Sequence, residues 1–381
     1  MKNKKNNSAH RITAEDEIFM RRALHLANKG AGWVSPNPMV GAVIVKNGKI
    51  IGEGWHKIFG DNHAEINAMI DAGEKNLKNS TLYVTLEPCC FYGKTPPCTD
   101  AIIKSGIKRV VIGTLDPNPK VNGKGIKMLE KNRIKIDVGV LENEARKSNE
   151  FFIKYHQKGL PFIISKWAMG LDGCIATSKG ESKWITSEKS RQYVHRLRSQ
   201  VDAIIVGINT IIKDDPQLNV RLKSGEFRQP KRIILDSKLR TPLDAKCLND
   251  KTGGENIIAT ITKNKSTKSN KLKEKGAKII YVKSKEGKVD LIELLKKLKN
   301  ENILSCLVEG GSQVHSTFFK EKLVDKIVIF IAPKIIGGGG IYAPLKGFKI
   351  NKGGKTINLT NPQIKIFGKD VCIEGYIEFF S

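Results

Sequence analysis

The sequence contains no uninterrupted apolar run of about 18 residues, which is the least that a membrane-spanning helix needs. Its basic first residues, MKNKKNNSAHR, are not followed by an apolar segment of the kind found in secretion signals. Cysteine is also sparse, with seven in 381 residues, which excludes a disulfide framework of the kind that stabilises small secreted proteins. We therefore expect a soluble, cytoplasmic protein without a membrane partner.

Acidic residues are also in short supply. The chain has 38 Asp and Glu against 66 Lys and Arg, which gives a formal net charge of +28. Such a charge can serve nucleic-acid binding, because basic side chains neutralise phosphates. However, the lysines are scattered along the whole chain, and the aromatic residues (7%) are not interleaved with them as in a groove that binds single strands. The distribution argues against nucleic acid as the main partner.

The length of the chain exceeds that of one ordinary compact core, so we expect two domains. Residues 1–12 are predicted to be a disordered basic arm, residues 13–158 the first domain and residues 161–381 the second. The boundary is placed at Gly159-Leu160-Pro161, because glycine commonly ends a helix and proline prevents its continuation.

Strand and helix signals alternate in the first domain. A helix is predicted to begin at Thr13, with acidic residues in its first turn, and a hairpin to turn at Asn47-Gly48, a pair suited to positive φ. Further predicted elements are a helix over about 64–72, the strand TLYVTLE, the helix CTDAIIKSG, the strand KRVVIGT and a helix over about 145–155. The alternation predicts an α/β sandwich.

The second domain alternates in the same way from Phe162 onward. Its apolar strand segments are FIISKWAM, DAIIVG, RIILD, NIIAT, KIIYV, SCLVEGG and KIVIFIAP, and its helical segments are SEKSRQYVHRLRSQ and VDLIELLKKLK. We expect a second α/β fold with about six or more strands.

Three residues of the first domain have the types and the setting of zinc ligands. His63 stands in the motif HAE at the start of a predicted helix, and Cys89 and Cys98 lie in the turn LEPCCFYGKTPPC. Three protein ligands leave a fourth position on zinc for a water molecule, whose pKa the metal lowers. Glu65, two residues from His63, is the expected proton shuttle. This is the arrangement of a zinc deaminase.

The motifs HAE at residues 63–65 and EPCCFYGKTPPC at residues 87–98 are specific enough to name a family. From about residue 13 to its end, the chain resembles the RibD family of bifunctional riboflavin biosynthesis proteins, in which a pyrimidine deaminase is fused to a reductase. The resemblance implies an N-terminal cytidine-deaminase-like α/β/α sandwich and a C-terminal dihydrofolate-reductase-like α/β domain. It also implies Zn²⁺ and NADPH as cofactors, a pyrimidine ribose phosphate as substrate, and a homodimer or higher homo-oligomer.

By the same resemblance, four residues of the first domain would bind the substrate, namely Asn37, Lys94, Asp116 and Asn118. Amide groups suit the polar edge of a pyrimidine, and the Lys94 ammonium suits a phosphate. Turn formation beside proline is the alternative role of Asn37 and Asn118.

Two positions of the cysteine turn depart from the family pattern, since Cys90 replaces a serine and Phe91 replaces a histidine that is expected near the substrate. Cys90 is predicted not to bind metal, because two adjacent cysteines rarely turn both sulfurs to one ion. Phe91 cannot donate a hydrogen bond, so either a neighbour such as Tyr92 compensates or deamination is impaired. We expect activity to be retained.

In the second domain the resemblance implies contacts with NADPH and with the substrate. The expected cofactor-binding residues are Ala168, Trp184, Thr210, Asp214, Ser237, Gly310 and Gly311. The expected substrate-binding residues are Ser182, Arg198, Leu218, Arg221 and Glu309, of which the arginines suit phosphate. Lys166 and Asp214 are the candidate catalytic residues, and a simple ion pair between these two is the alternative.

Two patterns in this domain are visible without the resemblance. Arg191, His195 and Arg198 share one face of the predicted helix, where they would present positive charge either to a phosphate or only to solvent. In LVEGGSQVHSTFF a strand is followed by two glycines and a helix, so backbone N–H groups at the helix start are open to a phosphate.

The resulting hypothesis is an enzyme with two successive reactions in riboflavin biosynthesis. It deaminates 2,5-diamino-6-(5-phosphoribosylamino)pyrimidin-4(3H)-one by hydrolysis, and then reduces the ribosyl side chain with NADPH to give 5-amino-6-(5-phosphoribitylamino)uracil. One alternative is a reductase alone, with the deaminase site impaired by Phe91. Another is an RNA-binding or tRNA-editing protein on a deaminase core, although the tight P-C-x-x-C spacing is absent.

Overall fold

A computed structural model describes residues 12–73, 76–262, 266–338, 342–349 and 356–379. The chain divides into two compact units, residues 1–158 and residues 159–381. The arm predicted to be disordered lies outside the described residues, apart from Ile12. Within the described ranges, no helix is both long enough and apolar enough to cross a bilayer.

The first unit is built on one five-stranded sheet. Its strands are β1 (Gly41–Lys46), β2 (Lys49–Trp55), β3 (Thr81–Leu86), β4 (Arg109–Thr114) and β5 (Lys135–Val138), and its α-helices are α1 (Ala14–Ala27), α2 (Ala64–Ala72), α3 (Cys98–Ser105), α4 (Lys124–Lys131), α5 (Glu142–Ser148) and α6 (Glu150–Lys158). The strand order is β2-β1-β3-β4-β5. Strand β1 is antiparallel to both neighbours, and β3, β4 and β5 run parallel.

Both faces of this sheet are covered, because successive residues of each strand point to opposite faces. Ala42 and Ile44 of β1 belong to a buried cluster with α2, α3 and α4. Val43 and Val45 belong to a second cluster with α1 and Ala145 of α5. The unit is therefore an α/β/α sandwich.

Local sequence signals determine the start of α1 and the β1–β2 turn. The Thr13 hydroxyl accepts a hydrogen bond from the Asp16 N–H (3.2 Å), and the Asp16 carboxylate accepts one from the Thr13 N–H (3.0 Å), which is a capping box. The turn residues Asn47 and Gly48 both have positive φ, 52° and 71°. Both elements agree with their predictions.

The helix predicted over about 145–155 is wrong, because two helices, α5 and α6, meet at Asn149. The Asn149 side chain accepts a hydrogen bond from the Met39 N–H (2.8 Å) and donates one to the Met39 carbonyl (2.9 Å). This long-range contact holds Asn149 outside helical geometry, with φ −112° and ψ 24°. Tertiary structure thus overrides a helical sequence pattern.

The second unit is built on a nine-stranded sheet. Its strands are β6 (Phe162–Met169), β7 (Ala203–Gly207), β8 (Lys231–Leu235), β9 (Asn256–Thr260), β10 (Lys278–Tyr281), β13 (Ser305–Val308), β14 (Lys326–Ile331), β15 (Asn358–Phe367) and β16 (Asp370–Glu378), with a separate pair formed by β11 (Ser284–Lys285) and β12 (Lys288–Val289). The helices are α7 (Glu188–Gln200), α8 (Ile208–Asp214), α9 (Lys246–Asn249), α10 (Thr267–Glu274), α11 (Leu291–Asn300) and α12 (Ser312–Lys320).

The strand order in the large sheet is β10-β9-β8-β7-β13-β6-β14-β16-β15. Neighbours from β10 to β14 are parallel, and β16 and β15 are antiparallel additions at one edge. All seven predicted strands are present, whereas the hairpin of β15 and β16 was not predicted. Because the carboxyl ends of parallel strands meet at one edge, the segments after β6, β7, β8 and β13 lie close together.

Candidate functional site

The three residues predicted to bind zinc converge in the first unit. His63 immediately precedes α2, Cys89 lies in the turn after β3, and Cys98 is the first residue of α3. Their potential ligand atoms all lie within 4.8 Å of one another. The His63 Nδ1 atom is 3.2 Å from the Cys98 sulfur and 3.5 Å from the Cys89 sulfur.

The chemistry of this donor set fits zinc, which prefers thiolate and imidazole ligands. The Cys98 thiol and the Cys98 backbone N–H both donate to the Cys89 sulfur, and they lower the pKa of the Cys89 thiol to about 4 although burial opposes this. A helix start thus favours the thiolate that a metal requires. The Cys90 sulfur lies outside the group and approaches the Lys120 carbonyl at 3.8 Å.

Glu65 lies in the first turn of α2, two residues beyond His63, and its side chain is buried. Burial raises the pKa of this carboxyl group above its ordinary value, and the charge of His63 opposes the increase. A carboxyl group with a raised pKa can both accept and return a proton near neutral pH.

Asn37, a predicted substrate ligand, is oriented by His56, which sequence reasoning missed. The His56 Nδ1 atom lies 3.0 Å from the Asn62 carbonyl oxygen, so Nδ1 must donate. Nε2 of the neutral ring then accepts from the Asn37 amide nitrogen at 3.1 Å. Burial lowers the pKa of His56, which favours this neutral form. The Asn37 carbonyl oxygen therefore remains available to a ligand.

Asp116 and Asn118 share a loop that a buried glutamate holds in place. The Glu87 carboxylate accepts hydrogen bonds from the N–H groups of Asp116 (3.3 Å), Gly123 (2.9 Å) and Gly125 (3.1 Å). Asp116 in turn accepts from the Asn118 N–H at 2.7 Å, and burial raises the pKa of Asp116 to about 7. Sequence reasoning gave Glu87 no role, although it adjoins the zinc motif.

Lys94 and the residues of its turn are exposed. The Lys94 ammonium lies 3.9 Å from the centroid of the Phe59 ring. Phe91 is 36% exposed and has the Lys120 ammonium 5.8 Å from its ring, and Tyr92 is 76% exposed. These side chains are open to solvent in the same turn that carries Cys89 and Cys98.

In the second unit, Glu309 lies between two predicted site residues. It follows β13 and pairs with Lys166 of β6 at 3.5 Å and with Arg198 of α7 at 2.7 Å. Although burial opposes its ionisation, the charges of Arg198 and Lys166 hold the pKa of Glu309 at about 2. Burial lowers the pKa of Lys166, and the Glu309 charge opposes that change.

The alternative of an ion pair between Lys166 and Asp214 is wrong. Within the described residues Lys166 pairs with Glu309, and the Asp214 side chain makes no ion pair with it. Asp214 ends α8, where burial raises its pKa. Its backbone carbonyl accepts from the Lys183 ammonium (3.3 Å), which links α8 to the loop that carries Ser182 and Trp184.

The predicted basic face of α7 is divided among different partners. The Arg191 guanidinium stacks on the Trp184 ring at 4.5 Å. His195 is neutral near pH 7, because burial and two nearby arginines lower its pKa to about 4. Arg198 pairs with Glu309 and also donates to the Asn219 carbonyl at 3.0 Å. Of these three residues, only Arg198 forms an ion pair with Glu309.

Arg221 and Leu218 lie in the segment between α8 and β8. Leu218 is buried with φ 52°, and the Arg221 backbone N–H donates to His195 at 3.3 Å. The Arg221 guanidinium donates to the Asn219 side chain. Arg198 and Arg221 therefore share Asn219 as a common partner.

The predicted cofactor residues follow neighbouring parallel strands. Ala168 lies near the end of β6, Thr210 in α8 after β7, Ser237 after β8, and Gly310 and Gly311 after β13. A Cβ atom on Gly311 would have no described atom within 4 Å. Open space at the amino end of α12 suits the approach of a phosphate to backbone N–H groups, so these residues fit NADPH.

His315 of α12 lies behind the two glycines and was not singled out from the sequence. Its Nδ1 atom is 2.7 Å from the Ser165 hydroxyl, and its ring is buried. Burial and the nearby Lys166 charge lower the pKa of His315 to about 4, so the ring is neutral. It thereby connects α12 with β6.

Comparisons with known proteins match both units. The family model for the cytidine and deoxycytidylate deaminase zinc-binding region covers residues 13–114, and that for the RibD C-terminal domain covers residues 161–373. The riboflavin biosynthesis protein RibD of Aquifex aeolicus is 49% identical over 360 residues, which are 93% of this chain and 98% of that protein. The RibD of Actinobacillus pleuropneumoniae is 41% identical, with 95% of each chain covered.

Solved structures agree over almost the whole length. Acinetobacter baumannii RibD has a TM-score of 0.86 at 35% identity, covering 96% of this chain and 99% of its own. A Thermotoga maritima protein, described as a diaminohydroxyphosphoribosylaminopyrimidine deaminase/5-amino-6-(5-phosphoribosylamino)uracil reductase, has a TM-score of 0.85 at 40% identity, covering 95% and 99%. These matches confirm the predicted fold class and the two cofactors, Zn²⁺ and NADPH. The chain therefore belongs to the RibD family of riboflavin biosynthesis proteins.

Proposed function

We propose that this chain catalyses two successive reactions of riboflavin biosynthesis on one pyrimidine ribose phosphate. The first is hydrolytic deamination of 2,5-diamino-6-(5-phosphoribosylamino)pyrimidin-4(3H)-one. The second is NADPH-dependent reduction of the ribosyl side chain to give 5-amino-6-(5-phosphoribitylamino)uracil. The convergence of His63, Cys89 and Cys98 beside the buried Glu65 carries the proposal, since it is the part of the chain with the most specific chemistry.

Each of the two reactions is assigned to one of the two units. Residues 13–158 are the deaminase domain and residues 161–381 the reductase domain. The deaminase family model within the first range and the RibD C-terminal model within the second support this assignment.

In the deaminase domain, His63, Cys89 and Cys98 hold Zn²⁺, which when bound lowers the pKa of a water molecule. Glu65 accepts a proton from the attacking water and returns it to the departing amine, so that ammonia leaves and a carbonyl group replaces the amino group. The raised pKa of Glu65 suits both transfers.

Four further residues bind the substrate of the deaminase. The Asn37 carbonyl oxygen accepts from the pyrimidine edge, because His56 already occupies its amide nitrogen. Asp116 and Asn118 contact the substrate from the loop that Glu87 holds. Lys94, with its exposed ammonium, binds the ribose phosphate.

In the reductase domain, NADPH, when bound, would supply the hydride that reduces C1 of the opened ribose. Its binding residues are Ala168, Trp184, Thr210, Asp214, Ser237, Gly310 and Gly311. Opening of the ribose ring leaves an imine between C1 and the exocyclic nitrogen, and Lys166 provides the proton that this nitrogen takes up as C1 is reduced, since its largely buried ammonium has a lowered pKa. Asp214, whose pKa burial raises, is the second candidate for proton transfer.

The remaining polar groups of the reductase site bind the substrate. Arg198 and Arg221 bind its phosphate, and Ser182 and Leu218 contact the pyrimidine ribose. Glu309 orients Lys166 and Arg198 through its two ion pairs. The protein's contribution is thus orientation and electrostatic stabilisation.

We further propose that the chain forms a homodimer or higher homo-oligomer in the cytoplasm. Strand β15 is at the edge of the large sheet, and its Ile364 and Ile366 side chains are 71% and 73% exposed. An exposed apolar edge strand is commonly covered by another chain. The comparisons favour neither a lone reductase nor an RNA-binding protein.

Ammonia release from the diaminopyrimidine phosphate in the absence of NADPH tests the first reaction. Wild-type protein should release ammonia with one zinc per deaminase domain, and a chelator should abolish the release. Glu65→Gln should keep its zinc and its NADPH-dependent reduction of the deaminated intermediate, but lose ammonia release by about 100-fold or more. Glu130→Gln, a change of an exposed glutamate on α4, is the matched control. Full zinc occupancy without ammonia release in the wild type would refute the proposal.

A further inference from the structure

Arg232 of β8 is the largest fully buried side chain of the described residues, and the chemistry above does not use it. Its guanidinium donates to the backbone carbonyls of Leu218 (3.3 Å) and Cys247 and to the Asp250 carboxylate at 2.6 Å. A buried charge is stable only when it is paired and fully hydrogen-bonded. Arg232 therefore connects the segment that contains Leu218 with residues 247–250.

The chain leaves room for this guanidinium at one glycine. A Cβ atom on Gly253 would lie 1.2 Å from the Arg232 Nη2 atom, so a larger residue there would have to displace the guanidinium. The backbone after Asp250 thus packs directly against the charged group. This close approach keeps the Arg232–Asp250 pair in one arrangement.

Asp250 extends the connection to Asn219. Its Oδ2 atom accepts from the Asn219 amide nitrogen at 2.8 Å as well as from Arg232. Its Oδ1 atom accepts from the Thr252 N–H (3.0 Å) and hydroxyl (2.7 Å). The Asn219 amide group therefore has a single orientation, with nitrogen towards Asp250 and oxygen away from it.

Both phosphate-binding arginines of the proposed reductase site depend on Asn219. The Arg221 guanidinium donates to its side-chain oxygen, and Arg198 donates to its backbone carbonyl at 3.0 Å. The two guanidinium groups carry like charge, and burial together with the Arg198 charge lowers the pKa of Arg221. Holding like charges side by side requires fixed partners, and Asn219 is the partner they share.

We propose that Arg232 and Asp250 are positioning residues that fix Asn219, so that Arg198 and Arg221 jointly select a phosphorylated substrate. The inference rests on the proposed reductase function. It adds a specificity role for two residues that do not touch the substrate. Leu218, whose carbonyl accepts from Arg232, has a left-handed φ of 52°. A leucine rarely adopts this backbone conformation, so the bond to Arg232 helps to hold the backbone at Leu218 in it.

Arg232→Lys is the direct test, because an ammonium keeps the charge but cannot reproduce the planar fork that reaches two carbonyls and a carboxylate. Reductase kcat and KM are measured with the deaminated intermediate and with the same compound lacking its phosphate. NADPH affinity is measured by fluorescence titration. We expect KM for the phosphorylated compound to rise about tenfold or more, with kcat within about threefold and NADPH affinity unchanged. The preference for phosphate should fall by the same factor.

Two further variants separate positioning from stability. Leu295→Ala, in a core cluster different from that of Leu218, lowers stability but should keep the phosphate preference. Asn219→Ala leaves the Arg232–Asp250 pair intact and should lose the preference for the phosphorylated compound. If Arg232→Lys does not fold, Asn219→Ala alone tests the inference. Retained preference in a folded Arg232→Lys or Asn219→Ala protein, or equal loss in Leu295→Ala, would overturn the inference. A wild type that reduces both compounds equally well would also overturn it, whereas a wild type without reductase activity would instead refute the proposed function.

Discussion

Replacing Glu309 by glutamine removes the negative charge that lies between Lys166 and Arg198. The two cations lower the pKa of Glu309 from its ordinary 4.5 to about 2. At about 1.4 kcal/mol for each pKa unit, the ion pairs stabilise the folded reductase unit by about 3 kcal/mol at neutral pH. Glu309→Gln should lose this amount, because both largely buried cations then lack a counterion.

The pH dependence of this loss has a definite direction. A carboxylate with a lower pKa in the folded state contributes its stability above pH 4.5 and loses it as the pH falls towards about 2. The difference in the free energy of unfolding between wild type and Glu309→Gln should therefore be largest near pH 7 and narrow below pH 4.5.

Urea unfolding followed by tryptophan fluorescence measures this free energy, since Trp167 is buried in the same unit. Ammonia release should be unchanged in Glu309→Gln, while NADPH-dependent reduction should be lost. Glu286→Gln is the matched control, because its ion pair with Lys320 is exposed and should have no measurable effect on stability. A Glu309→Gln protein as stable as the wild type at pH 7 would refute the reasoning.

Two other predictions concern the deaminase site. Glu87→Gln should lower the free energy of unfolding of the first unit by about 2 kcal/mol and raise the deaminase KM, because an NH₂ group replaces an oxygen that accepts backbone N–H bonds around Asp116. Urea unfolding and ammonia release check this, and unchanged stability would contradict it. Phe91→His should raise deaminase kcat/KM by about tenfold at constant zinc content, because it introduces a hydrogen-bonding group where the resemblance implies a histidine near the substrate. An unchanged kcat/KM would show that the introduced imidazole makes no hydrogen bond to the substrate.

The fold could be predicted where the deciding interactions are local. The start of α1 at Thr13 and the turn at Asn47-Gly48 depend on residues within four positions, and both lie where the sequence predicts. The break at Asn149 depends on Met39, 110 residues away, so no local pattern contains it. Helix signals on both sides therefore merged into one predicted helix.

The same distinction between local and long-range interactions applies to the site residues. His63, Cys89 and Cys98 were predictable because thiol and imidazole groups in such motifs have few other uses. Glu87 and Arg232 were not, because in the sequence a buried charged residue looks like any of the many exposed ones. Their roles arise from backbone groups that only the folded chain brings to them.

The contact between Gly253 and Arg232 also constrains the order in which the chain can change during evolution. Any side chain at Gly253 would occupy the place of the guanidinium, so a larger residue there is tolerated only when the guanidinium is displaced from its partners or Arg232 has been replaced. The reverse order creates no clash at the glycine, although losing the arginine first also removes the partner of Asp250. The two positions are therefore expected to vary together among descendants of this chain, with the arginine changing first.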